Sequence, residues 1–231
     1  MNKLKKLVLN SSAKEQVDII GINTFLNPYS YLKYRENPDL FNKFNKVYID
    51  GILLVIWFRL FGIKVKRTSF DMTSLAPKVF EFCSVNNKSI YFIGSTDSAI
   101  NLFVNEVSSK YYNLKILGYR NGYFDNEQEK RNVLTLIKEK NPDFIVVGMG
   151  TPFQEEFLLS LKELGWKGSG FTCGGFIHQT AQGIQYYPTV FDKYNLRWLY
   201  RIIDEPYLIK RYFIYYPKSL FLFIYDMIFK R

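Results

Sequence analysis

Short apolar runs alternate with longer segments of helical periodicity through the middle of the chain. Three runs, Ser89–Ile93, Leu114–Tyr119 and Phe144–Val147, each precede a segment of helical character. Uninterrupted runs rich in β-branched and aromatic residues are typical of strands buried on both faces of a sheet. A strand, a turn and a helix repeated three times predicts a parallel sheet with right-handed crossovers. We therefore expect an α/β fold: a Rossmann-like, mostly parallel sheet with flanking helices.

The same reading assigns the rest of the chain. Lys3–Asn10 and Val17–Thr24 are each predicted as a short strand or connector, and Asp18–Ile22 within the second is the better strand. Further predicted strands are Val47–Ile49 and Gly168–Cys173. Predicted helices are Tyr31–Glu36, Pro38–Asn45, Ile52–Phe61, Ser74–Asn86, Asp97–Lys110, Glu127–Lys140 and Gln154–Leu164, with loops at Asn23–Tyr31 and Lys64–Met72. After Gly183 the chain becomes aromatic and basic, and it predicts helices at Asn195–Ile203 and Tyr207–Arg231 with breaks at Pro206 and Pro217. This change of character predicts an α/β domain over residues 1–192 and a helical appendage over residues 193–231.

The third apolar run ends in a glycine-containing turn that leads into a helix. Gly150 allows a tight turn and the close approach of another molecule. Thr151 can cap a helix that begins at Pro152, and the carboxylate of Glu155 suits the positive end of that helix. Gln154 would then point its amide into a crevice. Open α/β sheets bind ligands at such junctions, although an ordinary capped junction explains the same residues.

Asp50 is the strongest candidate for a general base. It follows the predicted strand Val47–Ile49 and precedes Gly51, so it lies at the ligand-binding edge of the sheet and can approach a hydroxyl without crowding. The same position also suits a cap for the next helix. No second carboxylate is clearly paired with Asp50, and the sequence has no Asp-x-Asp motif. A paired-carboxylate glycosidase and a metal-assisted diphosphate reaction are therefore not indicated.

Known nucleotide fingerprints are absent from the sequence. The turn Gly94-Ser95-Thr96 lacks the three spaced glycines of a dinucleotide site, and there is no Walker lysine motif, which disfavours redox NAD enzymes and P-loop NTPases. The turn could still bind a nucleotide diphosphate or sugar through backbone N–H groups, or be a plain tight turn. His178 follows Gly174-Gly175 and could contact a ligand, but a lone histidine is more often structural.

The net charge of +10 indicates an anionic partner: a phosphorylated substrate, a membrane surface or nucleic acid. A solvated, lysine-rich surface explains the charge as well. Two cysteines fit neither a disulfide framework nor a metal site and favour the cytosol. Met1–Lys14 lacks the long apolar region of a secretory signal, and Ile52–Phe61 is too short to span a bilayer, so we expect a soluble or peripheral protein.

Taken together, these residues resemble the bacterial glycosyltransferases of the WecG/TagA/CpsF family. The resemblance extends from about Thr24 to Arg211. Its matching segments are Asp50-Gly51, Arg67-Thr68 with Asp71, Asn121-Gly122-Tyr123-Phe124, Gly148 to Glu155, Gly174-Gly175, Arg197 to Arg201, Glu205-Pro206 and Arg211-Tyr212. Members of this family transfer a sugar, often N-acetylmannosamine or its uronate, from UDP to a polyprenyl-diphosphate-linked acceptor. The resemblance implies the same two substrates here, and no cofactor.

The resemblance also implies roles for individual residues. Asp50 corresponds to the proposed catalytic base, Thr24 and Gln154 would orient sugar hydroxyls, and Arg201 and Arg211 would bind the diphosphate. Further substrate-binding residues implied in this way are Asn27, Arg67, Gly122, Gly150, Glu155 and Gly175. Gly94 is added to them from the turn Gly94-Ser95-Thr96 described above. The sequence departs from the family at Phe70, where glycine is usual, at His178, where many members have aspartate, and at Leu208, where a third arginine is expected. These departures leave the identity of the sugar open rather than the class of reaction.

We therefore expect an inverting, metal-independent hexosyltransferase of cell-surface polysaccharide synthesis (capsule or teichoic acid), cytoplasmic and peripheral on the inner face of the bacterial membrane. It is expected to bind anionic membrane and not nucleic acid, and a homo-oligomer is left open. Pro217–Arg231 is expected to lie in the membrane interface, so deleting Tyr207–Arg231 would leave the core folded; the alternative is that this segment packs on the core. The rival function is a non-catalytic basic protein that binds membranes or nucleic acid. It explains the charge but not the positions of Asp50 and Gln154.

Overall fold

The computed structural model describes residues 4–5, 8–9, 19–188, 190–191 and 197–229. Within these residues, six strands form one parallel sheet in the order β2-β1-β6-β5-β3-β4. The strands are β1 (Ile22–Leu26), β2 (Lys46–Ile49), β3 (Ser89–Gly94), β4 (Lys115–Arg120), β5 (Phe144–Gly148) and β6 (Ser169–Thr172). The prediction of an α/β fold with a mostly parallel sheet and flanking helices is confirmed.

Helices cover both faces of this sheet. They are α1 (Pro28–Glu36), α2 (Pro38–Asn42), α3 (Ile52–Leu60), α4 (Leu75–Val85), α5 (Asp97–Lys110), α6 (Glu127–Lys140), α7 (Phe153–Glu163), α8 (Phe176–Ala181), α9 (Arg197–Asp204) and α10 (Tyr216–Phe229). Successive side chains of a strand point to opposite faces, and in β5 Ile145 and Val147 belong to one buried cluster while Phe144 and Val146 belong to another. The apolar run that predicted this strand therefore fills two cores at once.

The N-terminal prediction was wrong in register. The first strand is Ile22–Leu26, which overlaps the end of the predicted strand or connector Val17–Thr24 and continues into the predicted loop Asn23–Tyr31. The preferred strand Asp18–Ile22 shares only Ile22 with it, and Asp18 lies outside the described residues. Polar Asn23 and Thr24 interrupt the apolar run and conceal the strand, yet both are fully buried. Within the predicted strand Lys3–Asn10, the described residues Leu4, Lys5, Val8 and Leu9 are helical.

Helix starts also differ from the predictions where a side chain or a proline sets them. Helix α1 begins at Pro28 rather than Tyr31, because Asn27 and Ser30 form a reciprocal capping box. Helix α7 begins at Phe153, with Pro152 at its N-cap position and no side-chain cap. Thr151 therefore does not cap this helix as predicted. Helix α2 ends at Asn42, earlier than predicted.

The C-terminal segment continues through its predicted breaks. A short 3-10 helix (Pro206–Leu208) and a π-helix (Arg211–Tyr215) lead into α10. Pro217 lies in the first turn of α10, directly after the π-helix, and the chain stays helical through it. Asn195, Lys230, Arg231 and the expected domain boundary at residues 192–193 lie outside the described residues.

Helix α10 packs on the α/β core. Phe223 is fully buried, and its ring centroid lies 4.9 Å from that of Phe58 and 5.5 Å from that of Tyr31. Asp226 is buried in the same region, where it accepts a hydrogen bond of 2.6 Å from the Tyr31 hydroxyl and pairs with Arg35. This packing argues against the expectation that the segment can be deleted with the core left folded.

Candidate active site

The loops that follow β1, β2, β3, β5 and β6 converge on a cavity of about 650 Å³ at the carboxyl edge of the sheet. Each of these loops contributes at least one lining residue: in loop order, Asn27, Asp50, Ser95, Gly150 and Gly174. Parallel strands all end at this edge, where open α/β sheets bind ligands. The C-terminal segments also line the cavity, through Arg197, Arg201, Arg211, Tyr212 and Tyr216.

Asp50 lies at the floor of this cavity with a third of its side chain exposed. The alternative role as a helix cap is not adopted: α3 has Gly51 at its N-cap position and no side-chain cap. Gly51 has φ of +90°, a conformation that glycine adopts without strain, and it separates Asp50 from the helix. Burial raises the pKa of the Asp50 carboxyl, against the opposing effect of the Arg67 charge. A carboxylate of raised basicity that reaches a cavity suits general-base chemistry.

Arg67 joins Asp50 to a second carboxylate, Asp71. Its Nη2 atom lies 3.4 Å from Asp50 Oδ1 and 3.3 Å from Asp71 Oδ2, and it donates a 3.1 Å hydrogen bond to the Ser69 hydroxyl. Burial alone would raise the pKa of Asp71, but hydrogen bonds from Ser69 and Thr73 together with the Arg67 charge lower it below its ordinary value. The sequence had shown no carboxylate clearly paired with Asp50, because the loop that carries Asp71 folds back only in the tertiary structure.

Thr24 and Glu155 lie behind the cavity wall rather than in it. Both side chains are completely buried, and the Thr24 hydroxyl donates a 2.8 Å hydrogen bond to Glu155 Oε1. Thr172 in turn donates to the Thr24 hydroxyl over 3.0 Å. Burial raises the pKa of Glu155 to about 7, against hydrogen bonds from Gln154 and Thr24 that lower it. These positions do not bring Thr24 or Glu155 to the surface of the cavity.

Gln154 and Asn27 reach the cavity, each with part of its side chain already engaged. Gln154 is almost fully buried but lines the cavity beside the turn that precedes α7. Asn27 lines it from the N-cap of α1, where its side-chain oxygen accepts hydrogen bonds from the backbone N–H groups of Tyr29 and Ser30. His178 lies in α8, and its exposed side chain also lines the cavity.

The four predicted glycines divide into two groups. Gly150 and Gly175 line the cavity, and Gly150 has φ of +75° with open space where a side chain would begin. Gly94 and Gly122 are instead packed together at the ends of their strands. A Cβ atom at Gly94 would lie 2.3 Å from the carbonyl oxygen of Gly148, so the close approach of β3 and β5 requires glycine there.

Three arginines from the C-terminal segments face the cavity. Arg201 makes hydrogen bonds of 3.2 and 3.0 Å to Glu205 Oε1 through Nε and Nη2, and the Arg211 guanidinium lies 4.3 Å from the ring centroid of Tyr29. Arg197 donates to the Thr73 hydroxyl and lies 3.6 Å from Asp71. Arg197 was not among the predicted site residues, although it begins the segment Arg197 to Arg201 that carries part of the family resemblance.

Aromatic side chains complete the wall that carries these arginines. The ring centroids of Tyr212 and Tyr216 lie 4.8 Å apart, and those of Trp198 and Tyr212 lie 6.0 Å apart. The Arg197 guanidinium lies 5.1 Å from the ring centroid of Tyr187. Such contacts hold cationic groups at defined positions. Within the described part of the chain, no three His, Cys, Asp or Glu side chains are grouped as metal ligands.

The description "Glycosyl transferase WecG/TagA/CpsF family" belongs to a family model that matches residues 2–231. The chain belongs to this family. It is therefore a glycosyltransferase, and the resemblance read from the motifs is confirmed over nearly the whole chain.

Curated relatives in this family carry specific names. The chain is 38% identical, over 99% of its length and 96% of the relative's, to the UDP-Gal:alpha-D-GlcNAc-diphosphoundecaprenol beta-1,4-galactosyltransferase of Shigella boydii. It is 28% identical, over 79% of its length and 70% of the relative's, to the N-acetylglucosaminyldiphosphoundecaprenol N-acetyl-beta-D-mannosaminyltransferase of Bacillus subtilis strain 168. Both names describe transfer to a lipid-linked N-acetylglucosamine. They differ in the sugar that is transferred.

Proposed function

We propose that this protein transfers a hexosyl group from a UDP-sugar to N-acetylglucosamine linked to polyprenyl diphosphate, in the synthesis of a cell-surface polysaccharide. The observation that carries the proposal is that Asp50, a carboxylate of raised pKa, lines the same cavity as three arginines of the C-terminal segments. Relatives of 38% and 28% identity, whose names specify this acceptor, support its chemical class.

The acceptor sugar supplies the nucleophile. One of its hydroxyls gives its proton to the Asp50 carboxylate as the oxygen bonds to the anomeric carbon of the donor, and the bond from that carbon to UDP breaks. Attack opposite to the departing diphosphate inverts the anomeric configuration. Arg67, which is shared between Asp50 and Asp71, holds the base in place without neutralising it fully. Positioning of this kind can account for much of the rate enhancement.

The departing UDP carries the charge that the cavity must stabilise. Arg201 and Arg211, the arginines expected to bind the diphosphate, line the cavity together with Arg197, which supports this role. Guanidinium groups suit diphosphate because they bind its oxygens through two parallel hydrogen bonds. Glu205 and Tyr29 fix two of these guanidiniums before substrate arrives, which reduces the cost of ordering them on binding. This arrangement supplies positive charge from protein groups where other enzymes use Mg²⁺.

The identity of the transferred sugar is a further part of the proposal. The family resemblance suggested an N-acetylmannosamine-like hexose. The Shigella relative, which is more similar to this chain and is matched over nearly its whole length, is named for galactose. We therefore propose UDP-galactose as the first donor to test, with UDP-N-acetylmannosamine as its competitor.

A membrane-facing surface would bring the cavity to a lipid-linked acceptor. We define the apolar face as Leu53, Ile56 and Leu60 of α3 with Phe221, Ile224 and Ile228 of α10, all exposed by 36% or more. The two helices meet at the contact of Phe58 with Phe223, and Leu53 and Tyr216 border the cavity. None of the helices in the described ranges is long and apolar enough to cross a membrane. An apolar face of this kind can lie in the interface instead.

A donor screen tests the proposal directly. Purified protein is incubated with a short-chain polyprenyl-diphosphate N-acetylglucosamine and each of several UDP-sugars, and UDP release and product mass are measured. UDP release with a product one hexose heavier than the acceptor is expected for a single preferred donor. Failure of every UDP-sugar with this acceptor, while free UDP also fails to bind in titration calorimetry, would reject the proposal.

A further inference from the structure

Gln154 and Glu155 are adjacent in sequence, but only the Gln154 side chain reaches the cavity. Gln154 lines the cavity, whereas Glu155 is completely buried behind it. The Gln154 amide donates from Nε2 to Glu155 Oε1 over 3.0 Å and to the Thr151 hydroxyl over 3.2 Å. Its Oε1 accepts a 3.0 Å hydrogen bond from the backbone N–H of Gly174. This side chain therefore ties the turn before α7 to the turn after β6.

These hydrogen bonds determine which way the amide faces. The backbone N–H of Gly174 can only donate, so the atom of Gln154 that it meets must be the oxygen. On the other side, Glu155 Oε1 is an acceptor, as its hydrogen bond from the Thr24 hydroxyl shows. The atom of Gln154 that faces it must therefore be a donor, the amide nitrogen. Glu155 Oε2 has no hydrogen-bond partner among the described residues, so a proton taken up by the carboxyl goes to Oε2 and Oε1 remains an acceptor.

These contacts determine which hydrogen-bonding positions of the Gln154 amide remain open toward the cavity. Both hydrogens of the Gln154 amide are occupied, and one of the two acceptor positions of its oxygen is taken by Gly174. One acceptor position is left for a ligand. Gln154 can therefore accept a hydrogen bond from a substrate hydroxyl but has no hydrogen left to donate to one. The expectation that Gln154 orients a sugar hydroxyl thus becomes more specific: it would do so as an acceptor.

We propose that Glu155 is a positioning residue that acts through Gln154, holding the amide so that its oxygen is presented to a sugar hydroxyl in the cavity. The identity of that ligand rests on the proposed function, whereas the link from Glu155 to Gln154 does not. Thr24 belongs to the same device, because its hydroxyl connects Glu155 to Thr172 on β6. Neither Glu155 nor Thr24 has to touch the substrate to affect turnover.

Amide hydrogen exchange tests the link without reference to activity. The exchange rate of the Gly174 backbone N–H is measured by NMR in the wild type and in Gln154→Met, Glu155→Met and the double variant. We expect the Gly174 N–H to exchange faster in each single variant than in the wild type. The double variant should exchange no faster than either single variant. Glu156→Met, the same change one residue along α7, is the matched control and should leave Gly174 unchanged. Unaltered Gly174 exchange in Glu155→Met would overturn the proposal.

Steady-state kinetics tests the consequence for catalysis. Glu155→Met should lower kcat/KM by about tenfold, roughly the effect of losing one hydrogen bond, and by as much as Gln154→Met. The double variant should be no worse than either, because both changes remove one interaction. Losses that multiply in the double variant would show that Glu155 acts independently and overturn the proposal.

Glu155→Gln covers the case in which Glu155→Met does not fold. It matches the shape of glutamate and keeps one acceptor oxygen, so most of the activity and of the Gly174 protection should be retained. Any remaining loss should disappear when Gln154 is already methionine. A loss as large as that of Gln154→Met, or one that persists in that background, would contradict the acceptor role. An inactive wild type with intact Gly174 coupling would instead reject the proposed function alone.

Discussion

At the scale of single residues, two carboxyl groups share Arg67 but differ in proton affinity. Burial raises the pKa of Asp50, whereas hydrogen bonds from Ser69 and Thr73 and the Arg67 charge lower that of Asp71. Asp71 therefore stays ionised and serves as a lasting partner for the arginine. Both carboxyl groups line the cavity, and Asp50, which directly follows β2, is the more basic of the two. Environments that separate the pKa values of neighbouring groups often mark acid–base sites.

Replacing Asp50 with asparagine should slow turnover strongly and leave the affinity for the donor nearly unchanged. Asn keeps the shape of the side chain but cannot take a proton, so kcat should fall by about 10²–10⁴-fold. Donor affinity, measured by calorimetry with UDP, should change little. Asp125→Asn, an exposed aspartate outside the cavity, is the control. Turnover within a few-fold of the wild type in Asp50→Asn would eliminate Asp50 as the base.

Glu155 should make the stability of the protein depend on pH. Its pKa is about 7 in the folded state against an ordinary value of 4.5, so the folded state holds more protons than the unfolded state between these values. Stability should therefore decrease as pH rises from about 5 to 8 and then level off. The loss attributable to this group is on the order of 2 kcal/mol.

Urea unfolding at pH 5 and pH 8 measures this effect. Glu155→Gln carries no charge at either pH, so its free energy of unfolding should decrease less over this range than that of the wild type. Glu156→Gln, beside it on α7, should follow the wild type. If wild type and Glu155→Gln change in parallel with pH, Glu155 does not titrate in this range.

At the scale of elements, α10 has two faces with different roles. The inner face places Phe223 among the rings of Tyr31, Trp57 and Phe58. The outer face exposes Phe221 by 72%. The sequence alone presented packing on the core and lying in a membrane interface as alternatives. The structure assigns the inner face to the core and leaves the outer face available.

Two alanine substitutions separate these faces. Phe223→Ala removes a fully buried ring, so the free energy of unfolding should fall by about 3–5 kcal/mol. Phe221→Ala, two residues away on the exposed face, should change it by less than about 0.5 kcal/mol. Thermal unfolding followed by circular dichroism gives both values. Similar stabilities for the two variants would show that α10 does not belong to the core.

At the scale of the whole molecule, the apolar face borders the cavity through Leu53 of α3. Asp50 and Gly51 lead directly into α3, which carries half of that face. The exposed lysines Lys64 and Lys66 follow α3, and Lys218 lies in the first turn of α10. A protein that rests on an anionic surface through this face would hold its cavity at the level of lipid headgroups. The net charge of +10 adds a general attraction to such a surface.

Polar substitution of the apolar face should release the protein from anionic vesicles. The double variant Ile56→Gln/Phe221→Gln removes apolar side chains that are 43% and 72% exposed, so binding should weaken at least tenfold while the melting temperature is kept. Val85→Gln changes an apolar residue that is 83% exposed at the end of α4, just before the start of β3, and should not affect binding. Co-sedimentation with vesicles of phosphatidylglycerol and phosphatidylcholine measures this. Equal binding by all variants would exclude this face as the docking surface.

Removal of divalent cations should leave the activity largely intact. The cavity offers Arg197, Arg201 and Arg211 to the departing diphosphate, and these groups need no metal to act on it. UDP release is measured with and without EDTA, followed by addition of Mg²⁺ or Mn²⁺. Activity that collapses on chelation and returns with either metal would contradict charge stabilisation by arginines.

Local sequence patterns determined much of this protein. The strands and helices between residues 89 and 164 lie close to their predicted positions, because apolar periodicity and turn residues act over short distances. The same holds for Asp50, whose position depends only on the strand before it and the glycine after it. The family resemblance likewise rested on short motifs that occur in order along the chain.

Tertiary structure decided what depends on distant partners. Strand β1 was predicted too early in the chain because it contains Thr24, a polar residue whose burial is compensated by Glu155, 131 positions away. Glu155 was expected to bind substrate and is instead enclosed, because the chain segments that cover it come from β1 and β6. The placement of Phe223 against Tyr31 likewise joins opposite ends of the chain. A local pattern shows which side chains can form hydrogen bonds or pack, but only the folded chain determines which partners they meet.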